Sequence, residues 1–354
     1  AHTAQRRSRA LYRSGAAYPR RTGGGICSSI IGYCAGRRLE YSFFYLLHRR
    51  RKRSAKNYVV LRAHLKNSAN AHYLSKETLM VIAFVNHKGG VGKTTCALNI
   101  GAGLIRQGKS VLLIDADAQA NLTQSVGLSD REPITLYEIM TDKQPIHAGI
   151  IKRDAMPDII PSCLDLCTLE IELSTAFRRE EILSSLLEPI RSDYDYILID
   201  CPPALDICTR NVLAATDVVY IPVSAEILPI YGLNKILQII EKIRGKRINI
   251  DLTVGGVIVT RFNKQQRVCQ DVRQMLNEMF GEKVFQTPIR ENVALKEYSS
   301  AHKDIFQYAP NSLAATDYQH LVEEILMRTQ SQEIQEKTTM KRANSPLKKE
   351  GSIA

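Results

Sequence analysis

The sequence predicts an α/β protein, a mostly parallel sheet flanked by helices, and three features carry that prediction. Short apolar runs read as strands buried on both faces: VIAFVN (81–86), VLLIDA (111–116), YDYILIDCPP (194–203), DVVYIPV (217–223) and LTVGGVIV (252–259). Helical stretches fall between and after them, over about 94–107, 230–244, 265–280 and 311–328. A glycine-rich turn, HKGGVGKTT (87–95), joins the first run to the first helix. Strands separated by helices place successive strands side by side and parallel, with helices covering the sheet.

The first run begins beside Met80, and what precedes it is of another kind. Residues 1–79 hold 17 Lys/Arg and 2 acids, Glu40 and Glu77, a net charge of +15. The remaining residues hold 31 Lys/Arg against 34 acids, a net of −3, so the overall charge of +12 belongs to the first segment. A nucleic-acid surface on the body must therefore be a local patch. Residues 1–79 are Arg-rich, contain GGG at 23–25 and show no sustained periodicity, which predicts disorder or poorly packed helices. A nucleic-acid arm, an organelle transit peptide, and a tag, fragment or sequence upstream of a start at Met80 all fit, the last being preferred. The body is expected over 80–330. Residues 331–354 are polar, with Ile334, Met340, Leu347 and Ile353 as spaced apolar residues, and read as a tail.

The eight cysteines, at 27, 34, 96, 163, 167, 201, 208 and 269, form no CxxC pair and read as free thiols of a reducing cytosol. Cys163 and Cys167 are the one pair weighed as a metal site. No stretch has the length of a membrane span; FFYLL (43–47) lies between Arg37, Arg38 and Glu40 on one side and HRRRKR on the other.

A phosphate-binding loop needs backbone N–H groups converging at a helix N-terminus, with small residues where the phosphates approach. Gly89, Gly90 and Gly92 supply those positions, with Val91 among them. Lys93 faces the β- and γ-phosphates, and Thr94, with Thr95 beside it, opens the helix with a hydroxyl able to ligate Mg²⁺. The strict pattern G-x-x-x-x-G-K-[ST] fails at its first position, His87, and a second lysine, Lys88, precedes the glycines. Asp200 ends a buried strand, where a parallel sheet presents ligands, and is expected to hold Mg²⁺ through water. Asp115 and Asp117 close another strand; Asp115 reads equally as a support of the metal's outer shell and as a cap or turn residue. GAG (101–103) with Gly108 has the wrong spacing for a dinucleotide fingerprint.

KGGVGKTT (88–95) resembles the deviant Walker A motif of the ParA/MinD family of P-loop ATPases. DADAQANLT (115–123) is similar to the family's second acidic motif, with Ala118 where proline is usual. ILIDCPP (197–203) resembles its Walker B and switch II segment. VFQTPIREN (284–292) and YAPNSLAATDY (308–318) resemble the ParA C-terminal region, so the likeness spans about 80–328 in order. It implies ATP and Mg²⁺ as ligands, with Lys88, Lys93 and Asp117 catalytic and Asp117 positioning the attacking water. It also implies an ATP-dependent homodimer, binding to DNA without sequence preference, a ParB-like partner that stimulates slow hydrolysis, and action in plasmid or chromosome partition in the cytoplasm, on the nucleoid when ATP is bound. Family arginines that contact DNA lie in the 260s and near 290. Gln265 and Ala294 stand where such arginines often occur, which leaves Arg267, Arg290 and Lys296 as substitutes.

Lys88 would crowd a site that Lys93 already serves, so it is expected at the mouth, pointing outward, and crossing to the α- and γ-phosphates of the other subunit in a dimer. Two rival readings and one look-alike stand beside this one. A MinD-like membrane switch calls for an amphipathic basic C-terminal helix, whereas the tail contains Pro346 and no apolar face, and no membrane partner is expected. A non-hydrolysing adaptor for another cargo is the second. An iron–sulfur reductase, raised by Cys201, lacks further cysteines at a dimer face.

Overall fold

The computed structural model describes residues 80–225 and 230–343; the sequence readings of 1–79 and of the chain after 343 lie outside those residues. Six strands form one parallel sheet: β1 (Met80–Phe84), β2 (Val111–Asp115), β3 (Asp158–Ile160), β4 (Tyr196–Asp200), β5 (Val218–Ser224) and β6 (Thr253–Thr260), in the spatial order β3-β2-β4-β1-β5-β6. Among the described residues five longer helices accompany them: α1 (Lys93–Arg106), α2 (Ile207–Ala215), α3 (Ile230–Gly245), α4 (Arg267–Phe280) and α5 (Leu313–Ala343).

Every residue of β1, β2, β4 and β5 is buried, which is why these strands are continuous apolar runs. Alternate residues serve two cores. Val81, Ala83, Leu112, Ile114, Ile197, Ile199, Val219 and Ile221 pack with apolar residues of α2, α3 and α4. Ile82, Phe84, Leu113, Leu198, Val218 and Tyr220 pack on the other face with α1 and α5. GAG (101–103) is explained by this second core: a Cβ on Gly103 would lie 2.6 Å from Cγ2 of Val322, and one on Gly101 3.1 Å from Cδ2 of Leu113. These glycines let α1 approach α5 and the sheet.

The register places the chemistry. Phe84 of β1 and Asp115 of β2 are both partners of Asp200 in β4, so three strand ends meet at the carboxyl edge. The chain leaves β1 toward β2 on one side and reaches β5 on the other, making this edge the switch point where parallel sheets bind ligands.

Three features differ from the sequence reading. The three-residue β3 pairs with β2 at the sheet edge and is too short to show a period. Helix α2 was not foreseen, although Asp206 caps it by accepting from the Thr209 N–H at 3.1 Å. The last helix continues past 328 to Ala343, because SQEIQEKTTMKRA contains neither glycine nor proline.

Candidate functional site

A cavity of about 620 Å³ opens at the carboxyl edge of β1 and β4. Gly89, Gly90, Gly92, Lys93, Thr94 and Thr95 line one wall; the loop 289–300 lines the other. Gly90 (φ 71°) and Gly92 (φ 91°) lie in the left-handed region, where a side chain would be strained. Gly89 needs no such φ, and a Cβ there would meet no protein atom within 4 Å. Buried Val91 does not line the cavity. Its carbonyl accepts a 2.8 Å hydrogen bond from Thr260 Oγ1, tying the loop to the end of β6.

The loop ends at the N-terminus of α1. Gly92 caps that helix with no side-chain hydrogen bond, and its first turn contains no acid. Its leading N–H groups and positive dipole end therefore face the cavity without a protein anion in the first turn. Lys93 enters from the same turn and is buried, at 6 % exposure, placing an ammonium beside those donors.

Asp200 closes the arrangement. Thr94 Oγ1 donates to Asp200 Oδ2 at 2.6 Å. Oδ1 of the same carboxylate is buried and has no hydrogen-bond partner. Burial, with Asp115 second, raises this acid to about 8, against the pull of Thr94 and Lys93. A buried carboxylate oxygen without a partner is costly unless a cation or donor meets it. An oxygen ligand, an adjacent hydroxyl and an open cavity fit a hard divalent ion such as Mg²⁺.

Asp115 is braced by the segment that follows β2. Its Oδ2 accepts from the Thr123 N–H at 2.8 Å and from Thr123 Oγ1 at 2.7 Å, and its Oδ1 from the Asp117 N–H at 3.2 Å. Both oxygens accept from protein donors, and Asp115 is not among the residues lining the cavity. Asp117 lies two residues past the end of β2, half-buried, with its side chain lining the cavity. Its carbonyl accepts from Ser162 Oγ at 2.6 Å and its Oδ1 from the Gln119 N–H at 3.0 Å.

Lys88 is exposed and is not among the residues lining the cavity. Its backbone N–H donates to Asn86 Oδ1 at 3.0 Å, and Asn86 Nδ2 donates to the Pro222 carbonyl at 2.7 Å. The loop is therefore fixed at its root while the lysine projects from it.

The three candidate DNA contacts occupy different settings. Arg267 is 94 % exposed at the start of α4, 4.0 Å from Asp271. Arg290 lines the nucleotide-sized cavity and is engaged by buried Asp317: its Nε donates to Oδ1 at 3.1 Å and Oδ2 at 3.0 Å, and its N–H to Oδ2 at 3.0 Å. This pair answers the buried carboxylate while leaving the Arg290 side chain part-exposed. Lys296 lines the same cavity and pairs with Glu291 at 2.9 Å.

The far wall was missed by sequence reasoning. Arg261, Ile289, Asn292, Leu295 and Tyr298 line it, and buried Tyr298 sits by Thr95 and Asn99 of α1. A polar backbone loop with a few apolar side chains suits the base and ribose of a nucleotide. Sequence reasoning named Arg290 and Lys296 on this wall, but as DNA contacts, and gave its other residues no role.

The comparisons with known proteins bear on this geometry. A family model described as an AAA domain matches residues 79–254. The chromosome partitioning protein ParA of Caulobacter vibrioides is 36% identical over 260 residues, covering 72% of this chain and 97% of that protein. The chain belongs to the ParA/Soj family of partitioning ATPases. The Soj protein of Bacillus subtilis, a sporulation initiation inhibitor, is 38% identical over 69% of this chain and 97% of its own length. Among solved structures, cobyrinic acid a,c-diamide synthase from Mycobacterium smegmatis, with ADP and magnesium bound, is 29% identical with a TM-score of 0.64, over 72% of this chain and 96% of that one. Within this ParA/Soj chain, Cys96, Cys163, Cys167, Cys201, Cys208 and Cys269 are free thiols. Among the described residues no three His, Cys, Asp or Glu side chains converge as a metal cluster, so Cys163 and Cys167 stand apart from any such group. Burial pushes the Cys201 thiol well up, an unreactive setting. No helix among the described residues is long and apolar enough to cross a membrane.

Proposed function

We propose that this chain binds ATP and Mg²⁺ in the cavity, hydrolyses the nucleotide slowly, and acts as a partition switch. The observation that carries the proposal is the buried, unpartnered Oδ1 of Asp200 beside Thr94 at the N-terminus of α1. Lys93 and the N–H groups of α1 hold the phosphates; Thr94 and Asp200 hold the ion. Held there, Mg²⁺ would neutralise phosphate charge. Asp117 orients the attacking water from the loop after β2. The wall 289–300 encloses the base.

ATP then joins two subunits face to face, and Lys88 of each reaches the other's phosphates. The dimer binds DNA without sequence preference, and a ParB-like partner stimulates hydrolysis and release, on the nucleoid in the cytoplasm. Exposed Arg267 is the candidate that suits a phosphate-backbone contact. Co-sedimentation with DNA or with anionic liposomes, with and without ATP and Mg²⁺, tests this reading. ATP-dependent recovery with DNA alone is expected; ATP-dependent recovery with liposomes alone would overturn it in favour of a membrane switch.

A further inference from the structure

A second depression, of about 490 Å³, lies between the start of α2 and the outer face of α3. Leu205, Ile239 and Ile243 give it apolar lining, and Arg210, Lys242 and Lys246 surround them, with Lys235 and Glu180 also lining it. Ile239 and Ile243 are buried core residues, Leu205 is half-buried, and Lys242 and Lys246 are exposed. Arg210 lies 3.3 Å and Lys246 3.7 Å from one Glu180 oxygen, so two cations share one carboxylate. The lining thus holds four basic residues, Arg210, Lys235, Lys242 and Lys246, against one acid, Glu180, in a body of net −3. This concentration of positive charge lies outside the nucleotide cavity, and none of its residues belongs to that site.

We propose that this groove docks an acidic amphipathic segment of a partner protein, its carboxylates flanking an apolar side chain. The apolar lining and cationic border are complementary to that chemistry. A phosphate backbone has no apolar group to cover half-buried Leu205. The chain's own 1–79 segment, at +15, repeats the groove's sign.

The groove has a covalent route to the nucleotide site. Pro203 lines the cavity beside the phosphate loop, and Leu205, two residues on, lines the groove. The intervening Ala204 carbonyl accepts from Thr209 Oγ1 at 2.6 Å, tying the segment to α2. An occupant that shifts Leu205 against α3 therefore moves the segment that follows Asp200. Docking stands apart from the ATPase reading; its influence on turnover rests on that reading.

The test uses the full chain and fluorescent synthetic peptides: one amphipathic with glutamates flanking leucines, its lysine counterpart, and polyglutamate, with a short DNA duplex as a further probe. Binding is measured by anisotropy without nucleotide, so that a failed ATPase reading leaves this result intact. The glutamate–leucine peptide is expected to bind at least about tenfold more tightly than either other peptide. Lys242→Glu/Lys246→Glu should lose that preference and gain the lysine peptide, a reversal that a misfolded variant cannot give. Equal binding of polyglutamate, no reversal in the variant, or loss of duplex binding alone would overturn the proposal. The glutamate–leucine peptide should also change ATP turnover by the native chain; bound peptide with unchanged turnover would overturn the link through 203–205.

Discussion

Thr94 donates its hydroxyl hydrogen to Oδ2 of Asp200 at 2.6 Å, while the other oxygen of that carboxylate is buried without a partner. A residue that opens α1 is thus joined to the last residue of β4, across 106 positions of sequence. The hydrogen bond holds the acid in place, and the second oxygen remains available to a cation.

The lysine and the acids around this pair should separate by function. Lys93→Ala removes the buried cation from the phosphate wall and is expected to lower ATP affinity by about 100-fold, an order of magnitude taken from losing a charge-assisted contact of ~3 kcal/mol. Asp117→Ala touches no phosphate ligand and should retain nucleotide binding while turnover falls below a tenth of the native rate. Fluorescent-nucleotide titration and phosphate release measure the two; normal turnover in Asp117→Ala would remove its proposed role.

Asp200 also makes a pH prediction. Its folded-state acid, raised from 3.8 to about 8, keeps its proton where the unfolded chain has lost it. The folded state therefore binds more protons between those values, and stability falls as pH rises through that window. Melting in EDTA from pH 5 to pH 8 should show a steeper loss for the native chain than for Asp200→Asn. The asparagine variant should be the more stable of the two at pH 8 and should lose Mg²⁺-dependent hydrolysis. Parallel pH profiles would show that the carboxyl is not protonated in the apo fold.

Much of this was legible because the signals are local. A sheet buried on both faces writes continuous apolar runs, and a phosphate loop writes glycines, a lysine and a hydroxyl within eight residues. β3 was not legible, because three residues carry no period. Asp115 was ambiguous because its partner, Thr123, declares itself only when the chain folds back after β2. The Arg290–Asp317 pair was hidden for the same reason, its acid lying 27 residues later. The wall containing Tyr298 lies some 200 residues from Thr95 and Asn99, and no pattern along the chain reports such a meeting.

Arg290 and Arg267 should accordingly fail in different ways. Arg290→Ala leaves Asp317 buried without its guanidinium and should cost about 1–3 kcal/mol of stability, Arg290 itself being part-exposed. Arg267→Ala should leave the melting temperature nearly unchanged and reduce the salt dependence of DNA binding by roughly one unit of log–log slope. Thermal melting and DNA titration over a salt series distinguish the two. An Arg290→Ala protein of native stability would contradict the structural role assigned to it.

The proposed switch depends on ATP joining two subunits through Lys88, which is exposed and does not line its own cavity. Sedimentation velocity tests it most directly, using Asp117→Ala to prevent turnover and comparing it with Asp117→Ala/Lys88→Ala, each with ATP and Mg²⁺. Nucleotide titration on both proteins should show that Lys88→Ala keeps monomeric ATP binding. The account predicts a dimer for the first protein and a nucleotide-bound monomer for the second; an ATP-dependent dimer of equal stability without Lys88 would contradict it.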